Sequence, residues 1–353
     1  MNREKLDQYI RGLTQQGEFS GVVLVKQGEE DLFANAYGYA SMKWKIVNTI
    51  DTIFPHASVT KMFTAVAALQ VVEEGMLSLE SKVQNILKLN VSNIPSNVTL
   101  HHLLTHTSGI ADYFDEYDDD VDGYAELWNR NPNYAFKNLS DFLALFAGKD
   151  PLFNAGNDFR YCNAGYVLIG LMIEKATGID YFEYVKRNVF IRAGMEKAGF
   201  IPFDAVRDNV AEGHQPIKNK EGRAVGWKKN VYSLPVRGSS DGGAYSTARD
   251  LVRFLRSLRE GQLLSGELTT RILQPQGPIQ EDPNGDWAYG YGLAFLFDKG
   301  EVVRYGHGGD DPGVSAKVFY YPGYDIDVVI LGNQSHCADP VAEKIHQMIV
   351  SDG

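Results

Sequence analysis

Residues 54–75 constrain the fold of this chain more than any other stretch. Phe54-Pro55-His56-Ala57-Ser58-Val59-Thr60-Lys61 leads into Met62-Phe63-Thr64-Ala65-Val66-Ala67-Ala68-Leu69-Gln70-Val71-Val72. After Pro55 come good helix formers, apolar on almost every side, and Gly75 is placed to end the helix in a left-handed conformation. A helix apolar all round is a buried one, so other elements must pack about it. Its first turn carries Ser58 and Lys61, three residues apart and so on one side of the helix. A Ser at a helix start usually caps it, with Glu or Gln three residues on. Here that residue is a cation at the positive end of the helix dipole, a local conflict of the kind found at functional sites. The dipole and burial both favour the neutral amine, pulling the pKa of Lys61 toward that of a useful base. The free N–H groups of a helix start also suit an oxyanion.

The remaining bounds are broad. The 353 residues, 44% hydrophobic and 22% charged, have the composition of a globular protein with one large core or two moderate ones. A net charge of -11 argues against nucleic acid or an anionic membrane surface as the main partner. Two cysteines, Cys162 and Cys337, give no disulfide framework, and Cys162 reads as a packing residue. The first residues lack the apolar region of a signal peptide, and the longest apolar run, 167–173, is too short to span a bilayer. The expectation is a cytoplasmic protein.

Periodicity predicts a helix over 3–15, then strands over 20–26 and 31–40 with a turn at 27–30. Helical pieces follow at 100–105, 139–147, 164–177 and 181–190, and another spans 247–260 between Thr247 and Gly261. Strands are expected at 290–298, 301–305, 314–321 and 326–331, with a turn at Pro322-Gly323-Tyr324-Asp325 and a closing helix over 339–350. Strands at both ends with helices between them give an α+β fold. Residues 1–80 and 236–353 would form one sheet domain, with 81–235 inserted as a mainly α-helical domain.

Three short motifs each occur once: Ser58-x-x-Lys61, Tyr161-Cys162-Asn163 and His307-Gly308-Gly309. In this order they resemble the penicillin-recognising serine hydrolases: class C β-lactamases, D,D-peptidases, D-aminopeptidases and family VIII carboxylesterases. The resemblance extends to Leu103-Leu104-Thr105-His106-Thr107-Ser108-Gly109, to Gly242-Gly243-Ala244-Tyr245-Ser246-Thr247-Ala248-Arg249-Asp250, and to Tyr305-Gly306-His307-Gly308-Gly309 with Pro312-Gly313. It implies a β-lactamase/transpeptidase-like fold, an antiparallel sheet flanked by N- and C-terminal helices. It also implies an acyl-enzyme serine hydrolase acting on a small molecule or short peptide, without cofactor.

Ser58 would be the nucleophile, with Lys61, if neutral, or Tyr161, if its phenol is depressed, as the base. Asn163 would orient those side chains or bond a substrate amide, and it is equally placed to cap the helix beginning at Ala164. Gly308 and Gly309 let a backbone approach the substrate. The resemblance places the oxyanion between the N–H groups of Ser58 and Asp310. His307 stands where the family often has Lys, implying a hydrogen-bonding role, and His106 reads as buried and structural.

Other patterns carry less. Gly238-Ser239-Ser240-Asp241-Gly242 matches a nucleophile elbow but lacks the preceding apolar strand and following helix. An unrelated esterase using Ser240 with His307 would need that context. Asp118 to Gly123 opens like a calcium loop, but the closing position is Asn129 rather than Glu, and no metal-ligand spacing occurs. Asp310, Asp311 and the acids of 112–122 would discourage a carboxylate-bearing substrate. The expected substrate is therefore a neutral ester or amide, or one with a free amino group, of carboxylesterase or D-amino acid amidase type. The alternatives are a β-lactamase or D-alanyl-D-alanine carboxypeptidase and, in another class, a non-catalytic β-lactam sensor or scaffold.

Overall fold

The computed structural model describes residues 1–89, 92–117, 121–283 and 285–351. The strands are β1 (Gly21–Gln27), β2 (Glu30–Tyr37), β3 (Ile279–Gln280), β4 (Trp287–Tyr289), β5 (Ala294–Asp298), β6 (Glu301–Asp311), β7 (Val314–Tyr321) and β8 (Ile326–Gly332). They build one antiparallel sheet in the order β2-β1-β8-β7-β6-β5-β4-β3. The join between the two ends of the chain is long: β1 pairs with β8 from Gly21↔Gly332 to Gln27↔Ile326.

Alternation along the strands divides the core into two layers. Val23, Val25, Val328 and Ile330 point to one face, where α1 (Arg3–Gln16) contributes Leu6 and Ile10. Val22, Leu24, Val329 and Leu331 point to the other, into an apolar cluster shared with α2 (Thr60–Glu73), α3 (Asn163–Thr177) and α4 (Ala248–Arg259), of which α4 lies against β1 and β8. The closing helix α5 (Asp339–Ser351) returns to the first face and packs there through Val341 and Ile345. Because both faces are covered, Val22–Val25 of β1 and Val328–Leu331 of β8 are apolar at successive positions instead of alternating with polar residues.

Helix α2 sits as its composition requires. Every residue from Thr60 to Val71 is buried, and Phe63 stacks edge-on with Phe190 and Phe254 at 5.1 and 4.7 Å. Gly75 takes φ 73° after its end. Residues 81–235 contribute α3, short helices such as Leu100–Leu104, and an apolar cluster continuous with that around α2. They also hold a hairpin, His214–Lys218 with Ala224–Lys229, that periodicity did not reveal because its residues are mostly exposed and lysine-rich.

Three expectations need correction. The strand expected over 301–305 runs on to Asp311, so the His-Gly-Gly motif lies inside β6 and pairs with β7. Its glycines mask the strand signal in sequence. Ser58 lies not in an α-turn but in a 3-10 turn, Ala57–Val59, that leads into α2. The strand expected over 290–298 is shortened to β5, with β4 before it. Asp118, Asp119 and Asp120 of the acidic loop lie outside the described residues. No helix among the described residues is long and apolar enough to cross a membrane.

Candidate active site

The 3-10 turn presents Ser58 over the start of α2. Ala57 takes φ 43°, a left-handed conformation that strains a residue with a Cβ and places Ser58 at the wall of a deep cavity. β6 passes directly behind this turn. A Cβ on Gly309 would lie 2.6 Å from the His56 carbonyl oxygen and 2.7 Å from the Ser58 nitrogen, so only glycine allows this approach.

Lys61 projects one turn further into the interior and is fully buried. Its Nζ lies 2.9 Å from Ser58 Oγ, 2.7 Å from Asn163 Oδ1 and 2.7 Å from the Asp241 carbonyl oxygen. Two of these partners, the amide and peptide oxygens, can only accept. A neutral amine has two N–H bonds, which those two oxygens take up, leaving its lone pair for the Ser58 hydroxyl. An ammonium would spend its third proton on Ser58 Oγ instead. Burial lowers the pKa of Lys61, against the opposing pull of Asp241, Glu116, Asp112 and Asp311. The net shift is toward the neutral amine, the form that can accept the Ser58 proton.

Asn163 is fixed from both ends of its amide: Oδ1 accepts from Lys61 and Nδ2 donates to Glu116 Oε1 at 3.0 Å. It does not cap α3 with its side chain. That task falls to Asp112, whose carboxylate accepts the N–H groups of Asn163 and, at 2.9 Å, Ala164. An acid from a distant loop thus satisfies the helix start and frees the asparagine for the cavity.

Tyr161 flanks the pair. Its ring centroid is 4.7 Å from Lys61 Nζ, and its phenol is a hydrogen-bond partner of Ser58. Burial, then the Glu116 carboxylate, push that phenol well above its ordinary pKa. It therefore stays protonated, a weaker acid than an ordinary phenol, and offers no phenolate to act as the base.

His307 is buried and neutral, its pKa pushed down to about 3 by burial and by the nearby Lys61. Nδ1 donates to the Gly308 carbonyl, which leaves Nε2 to accept from the Tyr289 hydroxyl at 2.8 Å. With both ring nitrogens occupied, His307 has no free partner for Ser240. Ser240 Oγ is itself fully buried without a hydrogen-bond partner. His106 is buried as expected and accepts the Cys162 N–H at 3.0 Å through Nδ1.

The acids after the third motif behave differently from one another. Asp310 is not a bare charge: it accepts from Ser315 Oγ at 2.6 Å and from Lys317 Nζ at 2.7 Å. Asp311 faces the cavity, where burial and the carboxylates of Asp241 and Glu116 raise its pKa well above the usual range. The cavity measures about 530 Å³, and Tyr113, Phe114, Tyr124 and Phe203 give it an aromatic lining.

Sequence reasoning brought together Ser58, Lys61, Tyr161, Asn163, His307, Gly308, Gly309 and Asp310, and the fold gathers all eight around this cavity or its wall. It counted Asp112 and Glu116 only among the acids of 112–122, without their contacts to Asn163, and it missed Asp241 and Tyr289. The rejected elbow motif held one of them, since Asp241 supplies the carbonyl that fixes Lys61. The Tyr289-Gly290-Tyr291-Gly292 run was a visible signal for another.

The fold and this cavity define a serine hydrolase class, and comparison with known proteins places the chain within it. Residues 6–350 match the Beta-lactamase family model, and the chain belongs to that family. It is similar to Penicillin-binding protein 4* of Bacillus subtilis (strain 168), 28% identical over 346 residues, covering 94% of this chain and 72% of that one. Esterase EstB of Burkholderia gladioli is 29% identical over 314 residues, covering 82% and 78%. The crystal structure of a penicillin binding protein from Bacillus halodurans superposes with a TM-score of 0.88 at 39% identity, covering 96% of this chain and 99% of that one.

Proposed function

We propose that the chain hydrolyses esters or amides through an acyl-enzyme on Ser58, with Lys61 as the base. The observation that carries this reading is the three-way hold on Lys61 Nζ, which aims its lone pair at Ser58 Oγ. As Oγ attacks the substrate carbonyl carbon, its proton passes to Lys61. The developing oxyanion lies between the backbone N–H groups of Ser58 and Asp310. Tyr161 then delivers a proton to the leaving alcohol or amine as the carbon–oxygen or carbon–nitrogen bond breaks, and is reprotonated from Lys61. Water, deprotonated by the same amine, releases the acid and restores Ser58. Asn163 holds Lys61 in register, and neutral His307 shapes the wall beside the substrate.

Charge supports neutral or amine-bearing substrates, of the carboxylesterase or D-amino acid amidase type. Glu116 and Asp241 line the cavity, and Asp311 beside them, its carboxyl raised by burial and by those two acids, adds no cation that could meet a substrate carboxylate. The nearest lysine on β7, Lys317, is engaged by Asp310 and by Asp339 at 2.6 Å. A second reading, β-lactam or D,D-peptide hydrolysis, draws on the names of the two penicillin-binding relatives. Rates on p-nitrophenyl acetate, D-alanine p-nitroanilide and nitrocefin separate the two. The ester or anilide should lead; nitrocefin far ahead of both would overturn the preference. Ser58→Ala should abolish all turnover while Ser240→Ala retains it, and the reverse would move the nucleophile.

A further inference from the structure

The charge of the chain is unevenly placed. One exposed hairpin, Tyr39–Ser41 with Ile46–Val47, carries Lys43-Trp44-Lys45 at its tip, where Lys45 turns with φ 53°. Trp44 is 67% exposed, Ile46 56% and Val47 60%. The hairpin of His214–Lys218 and Ala224–Lys229 adds Ile217, Val225 and Trp227, all exposed. Residues 39–47 and 214–229 together hold seven Lys or Arg and a single acid, Glu221, in a chain of net charge -11. Among the described residues, only Arg223 and Lys229 of the seven are in ion pairs.

The two hairpins are bound side by side. Ser41 Oγ donates to Glu212 Oε2 at 2.8 Å, the Glu212 N–H donates to the Ala40 carbonyl at 2.8 Å, and the Met42 N–H reaches His214 Nε2 at 3.4 Å. Exposed tryptophans flanked by lysines are the chemistry of a bilayer interface. The rings settle at headgroup level, while the lysine stems lie along the apolar layer and their ammonium groups meet lipid phosphates.

We propose that this paired-hairpin surface docks the protein onto an anionic lipid bilayer. The whole-chain charge argues against such a partner only if it is taken as uniform. A second copy of the chain fits worse, because a two-fold contact here would set like-charged hairpins against each other. The docking face also adjoins the proposed site. The base of the second hairpin, at Gly213 and Lys229, lines a cavity of about 200 Å³ that shares Pro55, Ile201, Phe203 and Tyr245 with the main one. This inference does not depend on which substrate is hydrolysed.

Co-sedimentation of the full chain with vesicles of equal parts phosphatidylglycerol and phosphatidylcholine tests it. At low salt the protein should pellet with these vesicles and stay free with phosphatidylcholine alone. The Lys43→Glu/Lys45→Glu variant should bind at least about 10-fold more weakly. Trp44→Ser/Trp227→Ser should also lose binding, with thermal melts and vesicle-free ester hydrolysis as in the parent. Failure of the parent to pellet, or variants that pellet as well as it does, would overturn the proposal. So would a dimer in sedimentation velocity that the tryptophan variant dissolves.

Discussion

At the residue scale the proposed chemistry turns on one amine. Burial lowers the pKa of Lys61, so kcat/KM should rise with pH through that lowered value and level off below the ordinary 10.5 of lysine. Glu116 opposes this shift from across Asn163. In Glu116→Gln the cation loses that support, so the acid limb should move to lower pH. The same change removes a negative charge from the cavity, and turnover of nitrocefin relative to p-nitrophenyl acetate should rise by about 10-fold. Both readouts come from pH-rate profiles on the two substrates, and an unmoved limb would detach Glu116 from Lys61. Ser58 and Lys61 were legible because a cation in the first turn of a buried helix contradicts the usual capping pattern. Glu116 was not, because its role arises from a contact with Asn163, 47 residues away, that no local pattern encodes.

At the element scale, the close approach of β6 to the 3-10 turn would set the geometry of the proposed oxyanion site. Gly309→Ala would press a methyl group into the His56 carbonyl and the Ser58 nitrogen, both backbone atoms that cannot rotate away. The expected cost is about 1–3 kcal/mol of stability by thermal or urea melts, with a larger proportional loss of ester hydrolysis. A variant of unchanged activity would mean that the strand does not shape the site. The same strand shows where periodicity fails. Glycines at 306, 308 and 309 and a charged end make β6 read as a short strand followed by a loop, yet its pairing continues to Asp311↔Val314. Helix α3 is the converse. Its apolar run was plain, but its start depends on Asp112, an acid supplied from another segment.

At the scale of the whole molecule, the sheet exists only because the chain's two ends meet. Arg259 on α4 grips Asp327 of β8 with two hydrogen bonds of 2.8 and 2.9 Å, and its guanidinium stacks 3.7 Å from the Tyr320 ring centroid. Asp327 is only 2% exposed, so Asp327→Ala strands a largely buried cation and should cost about 3–5 kcal/mol in chemical denaturation. The α+β arrangement was readable from strands at both ends, whereas this lock was not, since its two residues belong to elements that only the folded sheet brings together. The most direct test of the central claim takes the whole chain as its readout. Intact-protein mass spectrometry would follow labelling by a fluorophosphonate, with peptide mapping of the modified residue. The account predicts a single adduct on Ser58, formed at least about 100-fold more slowly in Lys61→Arg, whose guanidinium cannot give up its proton. An adduct on Ser240, or equal labelling rates in the two proteins, would contradict it.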